Sequence, residues 1–272
     1  MTAPAIPSAG GAPADAACAV LVPSCDAYSD LWTPFFSQFW RHWPDCPFPV
    51  FLGSNTQRYE DARVTTLLSN QGLNWTNRVR EHLEQLRAPY VLMILEDFLM
   101  QSPIETSSIL ECLQAIESTG GHCVRLSPRP APDDRVVGLP FLGAIRPGSP
   151  YRVSTQGAIW RRETLLALMR DGESIWQFEL AGSRRSDVFL TGFFGAYRNL
   201  LTYRHHVVER GKWFRGAAAK FGALGIGADF TRRPVMSRSE TVRWYLRKAK
   251  AVAFDLLPAC ARIRLGRTLG VR

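Results

Sequence analysis

Four short apolar runs, each followed by turn residues, predict buried β-strands along the first half of the chain. They cover residues 18–24, 47–55, 90–95 and 122–128. The run 90–95 is continuous enough for the centre of a parallel sheet, where both faces of a strand are covered.

Apolar residues at helical spacing fill the segments between these runs. An aromatic stripe from Leu31 to Trp43 predicts a helix that faces the core. Asn74 or Thr76 is placed to cap a second helix, and 105–118 carries a third, which ends at Gly120. Strands alternating with helices predict an α/β fold, a mostly parallel sheet flanked by helices.

The second half is less regular. We expect loops over 127–150, a mixture of strand, helix and polar segment over 151–187, and a strand and turn over 202–213. Residues 238–257 predict a basic amphipathic helix, followed by a short basic tail.

Composition divides the chain into three parts. An Ala-, Pro- and Gly-rich start without early positive charge predicts a disordered leader over 1–16 and no secretory signal. A main domain over 17–235 and a basic segment over 236–272 follow. No apolar run reaches the length of a membrane span, and six cysteines without a CxxC pair favour a reducing cytosol.

Positive charge is concentrated near the end of the chain. From Arg204 onward there are 16 Lys and Arg against 4 Asp and Glu, which leaves 17 against 20 in the preceding residues. Such asymmetry indicates an anionic partner, either a membrane surface, a nucleic acid or a phosphorylated substrate.

An acidic pair interrupts the third apolar run, in the sequence VLMILEDFLM. Glu96 and Asp97 fall at the carboxyl end of a strand, where ligands of open α/β sheets bind. Carboxylates there can hold Mg²⁺ or Mn²⁺, which in turn binds phosphate oxygens, or they can simply pair with arginine. No GxGxxG, GxxxxGK[ST] or GxSxG motif occurs, so dinucleotide-binding, P-loop and common serine-hydrolase sites lack their signatures.

Taken in order, several segments resemble bacterial glycosyltransferases of the GT-A fold that build capsule, lipopolysaccharide or O-antigen. The resemblance rests on VLVPSCDAYSDLW, PVFLGSN, VLMILEDFLM, STQGAIWRRE, GESIWQFELAGSRRSD and HHVVERGKW, which together span most of residues 18–213. It implies a GT-A-like sheet and transfer of a sugar from a nucleotide-sugar donor.

The resemblance implies a donor site around the first and third strands. The loop beginning at Ser24 would lie against the base and ribose, with Asp26 and Tyr28 as contacts. Glu96 and Asp97 would stand where the family has Asp-x-Asp and bind a divalent cation, Mn²⁺ or Mg²⁺. The second spaced carboxylate of that signature is missing here, which leaves Asp97 as the main ligand.

Inverting members of the fold use a carboxylate base beyond the acceptor-facing segment, a position that Glu179 fits. Glu173 competes for the role and Asp187 is a third candidate, while either glutamate could instead cap a helix or pair with Arg184 or Arg185. A retaining enzyme would need no such base.

Further residues complete the expected site. One of the two adjacent histidines, His205 or His206, would complete the metal site, and we name His206 as the ligand. Arg210 and Lys212 would cover the diphosphate or form a solvated turn. Gln156 and Trp160 would line the sugar or acceptor pocket, although a core tryptophan is the commoner case.

The sequence thus predicts a metal-assisted glycosyltransferase with a glycan or lipid-linked acceptor. Its basic C-terminal helix suits an anionic bilayer, which places the protein in the cytoplasm at the inner face of the cytoplasmic membrane. Two alternatives stay open: a nucleic-acid-binding protein using the basic region, although no RNA-binding signature accompanies it, and a degenerate GT-A scaffold.

Overall fold

The computed structural model of the protein describes residues 16–255. These residues form two compact units, one ending at His206 and the other beginning at Val207. The predicted domain boundary at residue 235 falls inside the second unit. Apart from Ala16, the predicted leader lies outside the described residues, as does the predicted tail after Asp255.

The first unit is built on a sheet whose strands alternate with helices. Its strands are β1 (Cys18–Pro23), β2 (Val50–Ser54), β3 (Val64–Leu68), β4 (Tyr90–Met93), β5 (Leu99–Met100), β6 (Cys123–Arg125), β7 (Asp134–Val136), β8 (Leu139–Ala144), β9 (Ala158–Arg161), β10 (Phe193–Ala196) and β11 (Tyr203–Arg204). Its helices are α1 (Trp32–His42), α2 (Trp75–Glu84), α3 (Thr106–Ser118), α4 (Arg162–Leu168) and α5 (Ile175–Arg185).

Nine of the strands described between residues 16 and 255 form one sheet in the order β3-β2-β1-β4-β9-β6-β10-β8-β7. β1 lies between β2 and β4 and is parallel to both, and β2 is parallel to β3. Within this sheet, β9 and β8 run against the other strands. The predicted fold class, a mostly parallel α/β sheet with flanking helices, is confirmed, and its GT-A-like character stays a prediction.

The core follows the predicted apolar patterns. Every side chain of β1 is buried, as expected of a strand covered on both faces. The aromatic stripe of α1 is core, because Phe35, Phe39 and Trp43 have no exposed surface and their rings contact one another. Asn74 caps α2 by accepting a hydrogen bond from the backbone N–H of Asn77, as predicted.

Two features differ from the sequence expectation. The segment Val64–Leu68 forms β3 at the end of the sheet, although its two threonines interrupt the apolar run that would have identified it. The expected loop over 127–150 contains the hairpin of β7 and β8, which turns at Val137 and Gly138. Gly138 supplies the positive φ of 81° that this turn needs.

The second unit is small. It contains the hairpin of β12 (Val208–Glu209) and β13 (Lys212–Trp213), and the helices α6 (Arg215–Gly222) and α7 (Arg238–Asp255). α7 confirms the predicted basic helix over its described length. Among the helices of residues 16–255, none combines the length and the apolar composition needed to cross a membrane.

Candidate active site

Polar loops meet at one edge of the sheet, where the parallel strands β1, β2 and β4 end. Ser24 to Asp26 follow β1, Ser54 to Gln57 follow β2, and Glu96 and Asp97 follow β4. β9 runs the other way, and its first residue, Ala158, pairs with Met93 at the end of β4. Residues 154–157 therefore enter the sheet from the same edge.

Asp26 fastens the first two of these loops together. Its Oδ1 accepts hydrogen bonds from Ser54 Oγ at 2.7 Å and from the backbone nitrogens of Asn55, Thr56 and Gln57 at 3.1–3.2 Å. Its Oδ2 accepts from Thr56 Oγ1 at 2.6 Å and from Thr56 N at 3.2 Å. The carboxylate thus bridges the chain after β1 and the chain after β2.

This clamp sets the charge state of Asp26. Desolvation alone would raise its pKa, but hydrogen bonds from Thr56, Ser54 and the loop backbone outweigh it and hold the pKa well below the ordinary value. Asp26 is therefore ionised at neutral pH, and its oxygens are occupied by protein donors. Its predicted contact with a base or ribose stays a prediction, and the structure shows it holding the loops.

The other two residues of this loop have different surroundings. Ser24 is buried, and its Oγ accepts a hydrogen bond from Trp32 Nε1 at 2.8 Å, which ties the end of β1 to α1. Tyr28 is half-buried on the 3₁₀ turn Asp26–Leu31. The side chain of Ser24 is therefore directed into the protein, and its predicted contact with the nucleotide-sugar stays a prediction.

Glu96 and Asp97 lie beside a short two-stranded ribbon formed by β5 and β11. Tyr203 pairs with Met100 and Arg204 with Leu99 in antiparallel register. Phe98 stacks on Tyr203 at a centroid distance of 4.8 Å and on His205 at 4.9 Å. This stacking places His205 beside Phe98, the residue that follows the acidic pair.

The backbone of His206, next along the chain, has an unusual conformation. His206 has φ of 26°, a left-handed conformation that is costly for a residue with a Cβ. Its Nδ1 lies 2.9 Å from Nδ1 of His205. Glu96 is buried with 8% of its surface exposed, whereas Asp97 is half-buried. The acidic pair thus presents one carboxylate towards the interior and one at the edge.

The candidate ligands of a divalent cation are Glu96, Asp97 and His206. Within residues 16–255, no cluster of three or more His, Cys, Asp and Glu side chains is arranged to hold a metal. Sites for Mg²⁺ or Mn²⁺ commonly combine one or two protein ligands with water and substrate phosphates, and carboxylate oxygens suit these ions. The predicted ligand roles of Asp97 and His206 stay predictions.

Tyr203 connects the ribbon to the start of β9. Its hydroxyl accepts a hydrogen bond from the backbone N–H of Gly157 at 3.2 Å. Burial raises the pKa of Tyr203 to about 12, and the charge of nearby Asp97 acts in the same direction. Sequence reasoning missed this residue, although it stands two positions before the histidine pair that drew attention.

Glu179 on α5 holds the segment that precedes β9. Its Oε1 accepts hydrogen bonds from Thr155 N at 2.7 Å, Thr155 Oγ1 at 2.9 Å and Ser154 Oγ at 3.3 Å. Glu179 is buried, with 8% of its surface exposed. Within the described part of the chain Glu179 makes no ion pair, so the alternative of a pair with Arg184 or Arg185 is wrong for Glu179, although it is confirmed for Glu173, which pairs with Arg185.

The two competing carboxylates are engaged elsewhere. Glu173 accepts two hydrogen bonds of 2.7 Å from the guanidinium of Arg185, a bidentate ion pair. Asp187 accepts from the backbone N–H of Gly148 at 2.8 Å, and its Oδ1 lies 3.9 Å from Nη1 of the buried Arg152. Both carboxylates stabilise loops around α5, as Glu179 does for the segment before β9, and the role of Glu179 as base stays a prediction.

The predicted pocket residues separate. Gln156 is half-buried at the sheet edge, and its Oε1 accepts a hydrogen bond from Ser127 Oγ at 2.8 Å. Trp160 has no exposed surface and packs in the core against Phe193. The structure therefore assigns Trp160 to the core instead of the pocket, because a sugar needs an accessible ring face.

Arg78 is a cation whose charge reaches Cys25 at the end of β1. Burial raises the pKa of Cys25, and the charges of Arg78 and Glu96 act on its thiol in opposite directions. Arg78 also donates a hydrogen bond to the carbonyl oxygen of Leu73 at 3.2 Å. The edge thus holds both charge signs.

Arg210 and Lys212 belong to the second unit. Arg210 and Gly211 form the two-residue turn between β12 and β13, with φ of 50° and 76°. Lys212 Nζ donates a hydrogen bond to Glu240 Oε1 at 2.5 Å. Lys212 is therefore engaged within its own unit, and its predicted contact with a diphosphate stays a prediction.

Comparisons with known proteins find structural similarity at low sequence identity. No protein-family model and no curated protein matches the sequence. Among solved structures, the chain is similar to S. aureus TarS 1–349 in complex with UDP-GlcNAc, at 12% identity and a TM-score of 0.44 over 72% of this chain and 60% of that one. The chain thus spans about three fifths of that structure.

In two further similar structures, the match extends over a larger share of the known protein. The first is glucosyl-3-phosphoglycerate synthase from Mycobacterium tuberculosis in complex with Mn²⁺ and UDP-glucose, at 12% identity and a TM-score of 0.40 over 81% of this chain and 80% of that one. The second is 2-C-methyl-D-erythritol 4-phosphate cytidylyltransferase from Thermus thermophilus, at 11% identity and a TM-score of 0.45 over 76% and 97%.

Proposed function

We propose that the protein is a glycosyltransferase that takes a sugar from a nucleotide-sugar donor bound at the carboxyl edge of the sheet. One observation carries the proposal: the acidic pair follows β4, and Tyr203 of the β5–β11 ribbon bonds to Gly157 beside the segment that Glu179 holds, all at one edge of the sheet. The sequence resemblance to GT-A glycosyltransferases gives this edge its proposed chemistry.

The donor diphosphate is held by groups of both signs. Asp97 and His206, with Glu96 behind them, would hold a divalent cation together with the phosphate oxygens. That cation, when bound, neutralises charge on the diphosphate leaving group. Arg78, whose charge reaches Cys25, would supply a protein cation, and the Asp26 clamp fixes the shape of the loops beside the nucleotide.

Glu179 is the proposed base of an inverting transfer. Its Oε1 is occupied by Thr155 and Ser154, so Oε2 is the oxygen that takes the proton of the acceptor hydroxyl. The acceptor oxygen forms a bond to the anomeric carbon while the bond from that carbon to the diphosphate oxygen breaks. Holding Oε1 fixed keeps the carboxylate oriented for this transfer.

For the acceptor, we propose a bacterial surface glycan or its lipid-linked precursor. The basic helix α7 would associate with anionic lipid at the inner face of the cytoplasmic membrane, where such precursors are exposed. The charge asymmetry of the chain and the sequence resemblance support this part of the proposal.

Release of the nucleotide leaving group (UDP, GDP or CMP) from a panel of UDP-, GDP- and CMP-sugars tests the activity without knowledge of the acceptor. We expect slow release from one donor class, lost in Asp97→Asn and retained in Asp171→Asn, whose carboxylate is 78% exposed on the turn between α4 and α5. No release from any donor, with no binding of the corresponding nucleotides, would overturn the proposal.

A further inference from the structure

A cleft in the second unit carries charge that the proposed donor site does not use. It has a volume of about 490 Å³ and lies between the β12–β13 hairpin and α7. Its lining consists of Glu209, Arg210, Lys212, Met236, Glu240, Arg243, Leu246 and Arg247. This volume is in the range of small-molecule sites.

The acidic residue on α7 in this lining is already engaged. Glu240 Oε2 accepts a hydrogen bond from Ser237 N at 2.8 Å, and Ser237 Oγ accepts from Glu240 N at 3.1 Å, which is a capping box at the start of α7. Glu240 Oε1 accepts from Lys212. The charges of Glu240 and Lys212 therefore balance each other.

Arg243 and Arg247 are the cations left over. They are four residues apart and so lie on the same face of α7, and both are exposed. Neither makes an ion pair within the described residues. Two like charges at this spacing destabilise a helix, and a bound anion between them would reverse that effect.

Arg210 adds a third cation at a conformational cost. A two-residue hairpin turn with φ of 50° and 76° is best served by Asn or Gly at its first position. The arginine there has a side chain that is 74% exposed and lines the cleft. Its Nε lies 3.7 Å from Glu209 Oε1, so that pair is loose.

The cleft also has an apolar part. Met236 is buried in its wall, and Leu246 lines it with 56% of its surface exposed. Val242 and Tyr245, neighbouring residues of α7, are exposed to the same extent. A free phosphate ion would leave these side chains in water, whereas a lipid headgroup would bring acyl chain to them.

We propose that this cleft binds the phosphate headgroup of an anionic lipid, with Arg243 and Arg247 on the phosphate and Leu246 towards the acyl chain. This proposal rests on the membrane association put forward for the transferase. It adds a defined headgroup site to an otherwise general attraction between a basic helix and a bilayer.

The test is flotation of the full chain with phosphatidylcholine vesicles that contain either phosphatidic acid or phosphatidylglycerol at equal surface charge. The test variant is Arg243→Gln/Arg247→Gln. The control, Lys220→Gln/Arg238→Gln, removes equal charge from exposed positions of the same unit outside the cleft lining. Circular dichroism establishes that both variants are folded.

We expect the cleft variant to lose about tenfold in affinity for phosphatidic acid vesicles and the control about twofold, because general attraction depends on charge alone. Equal losses in both variants would overturn the site. Displacement from vesicles by millimolar pyrophosphate would show a free-phosphate site instead. Nucleotide binding by calorimetry is unchanged in the cleft variant, so failure of this site and failure of the donor site are distinguishable.

Discussion

Substitution of Asp26 should lower the free energy of unfolding, and by more when more hydrogen-bond acceptors are lost. Five donors point at its two oxygens: the hydroxyls of Ser54 and Thr56 and the backbone nitrogens of Asn55, Thr56 and Gln57. In Asp26→Asn the amide oxygen can still accept the hydrogen bonds that Oδ1 accepts now. The Thr56 hydroxyl, which now donates to Oδ2, can rotate and accept from the new amide N–H. In Asp26→Ala every acceptor is lost.

The expected magnitudes follow from this geometry. A hydrogen bond to a charged group contributes about 1.5–3 kcal/mol, but the five donors share one carboxylate, and water reaches the exposed Thr56 and Gln57. We therefore expect the free energy of unfolding to fall by about 1.5 kcal/mol in Asp26→Asn and about 3 kcal/mol in Asp26→Ala. Urea denaturation followed by circular dichroism at pH 7 measures both.

The same clamp predicts a pH dependence. The pKa of Asp26 is lower in the folded protein than in the unfolded chain, so its contribution is complete above an unfolded pKa of about 4 and fades as the pH falls below that value. The difference between wild type and Asp26→Asn should therefore shrink at pH 3. Equal losses in the two variants at pH 7, or a loss under about 1 kcal/mol in Asp26→Ala, would refute the clamp.

Three further predictions concern the residues around the edge. Glu179→Gln should keep its acceptor for Thr155 N and the fold, yet lower sugar transfer about a hundredfold; full activity would exclude Glu179 as base. Tyr203→Phe should cost about 1 kcal/mol in urea denaturation, because Gly157 N loses its acceptor while the Phe98 stack remains; an unchanged midpoint would show that this hydrogen bond contributes nothing. Burial lowers the pKa of His82 from 6.5 to about 4, so stability that is complete above pH 6.5 is lost as the pH falls towards 4. The loss should be about 2 kcal/mol at pH 5 and should be absent in His82→Gln.

Much of the first unit could be predicted because its apolar patterns are unambiguous. β1 and β4 are continuous apolar runs, and α1 repeats its aromatics at helical spacing, so each pattern has one physical interpretation. β3 and the β7–β8 hairpin escaped because their residues are partly polar and lie at or near the ends of the sheet. Strands in such positions bury less apolar surface, so their sequences carry less of the signal.

The candidate site was harder to predict, since it depends on long-range pairing. The cost of burying the acidic pair is visible in the sequence, but the contacts of the adjoining Phe98 with Tyr203 and His205 depend on the pairing of β5 with β11. Asp26 was singled out for ligand contact, whereas its hydrogen bonds to the loop after β2 depend on two strands lying side by side. Trp160 has the same sequence signature whether it lies in a pocket or in the core.

The most direct test of the account is calorimetric titration of UDP, GDP, CDP and CMP into the wild type, Asp97→Ala and the control Asp171→Ala. Each titration is made with Mn²⁺ and repeated with EDTA. The account predicts that one nucleotide binds with Mn²⁺, and that either EDTA or Asp97→Ala weakens it by about tenfold or more, with the control unaffected. Binding of the same strength in Asp97→Ala and wild type would contradict the assignment of this edge as the donor site.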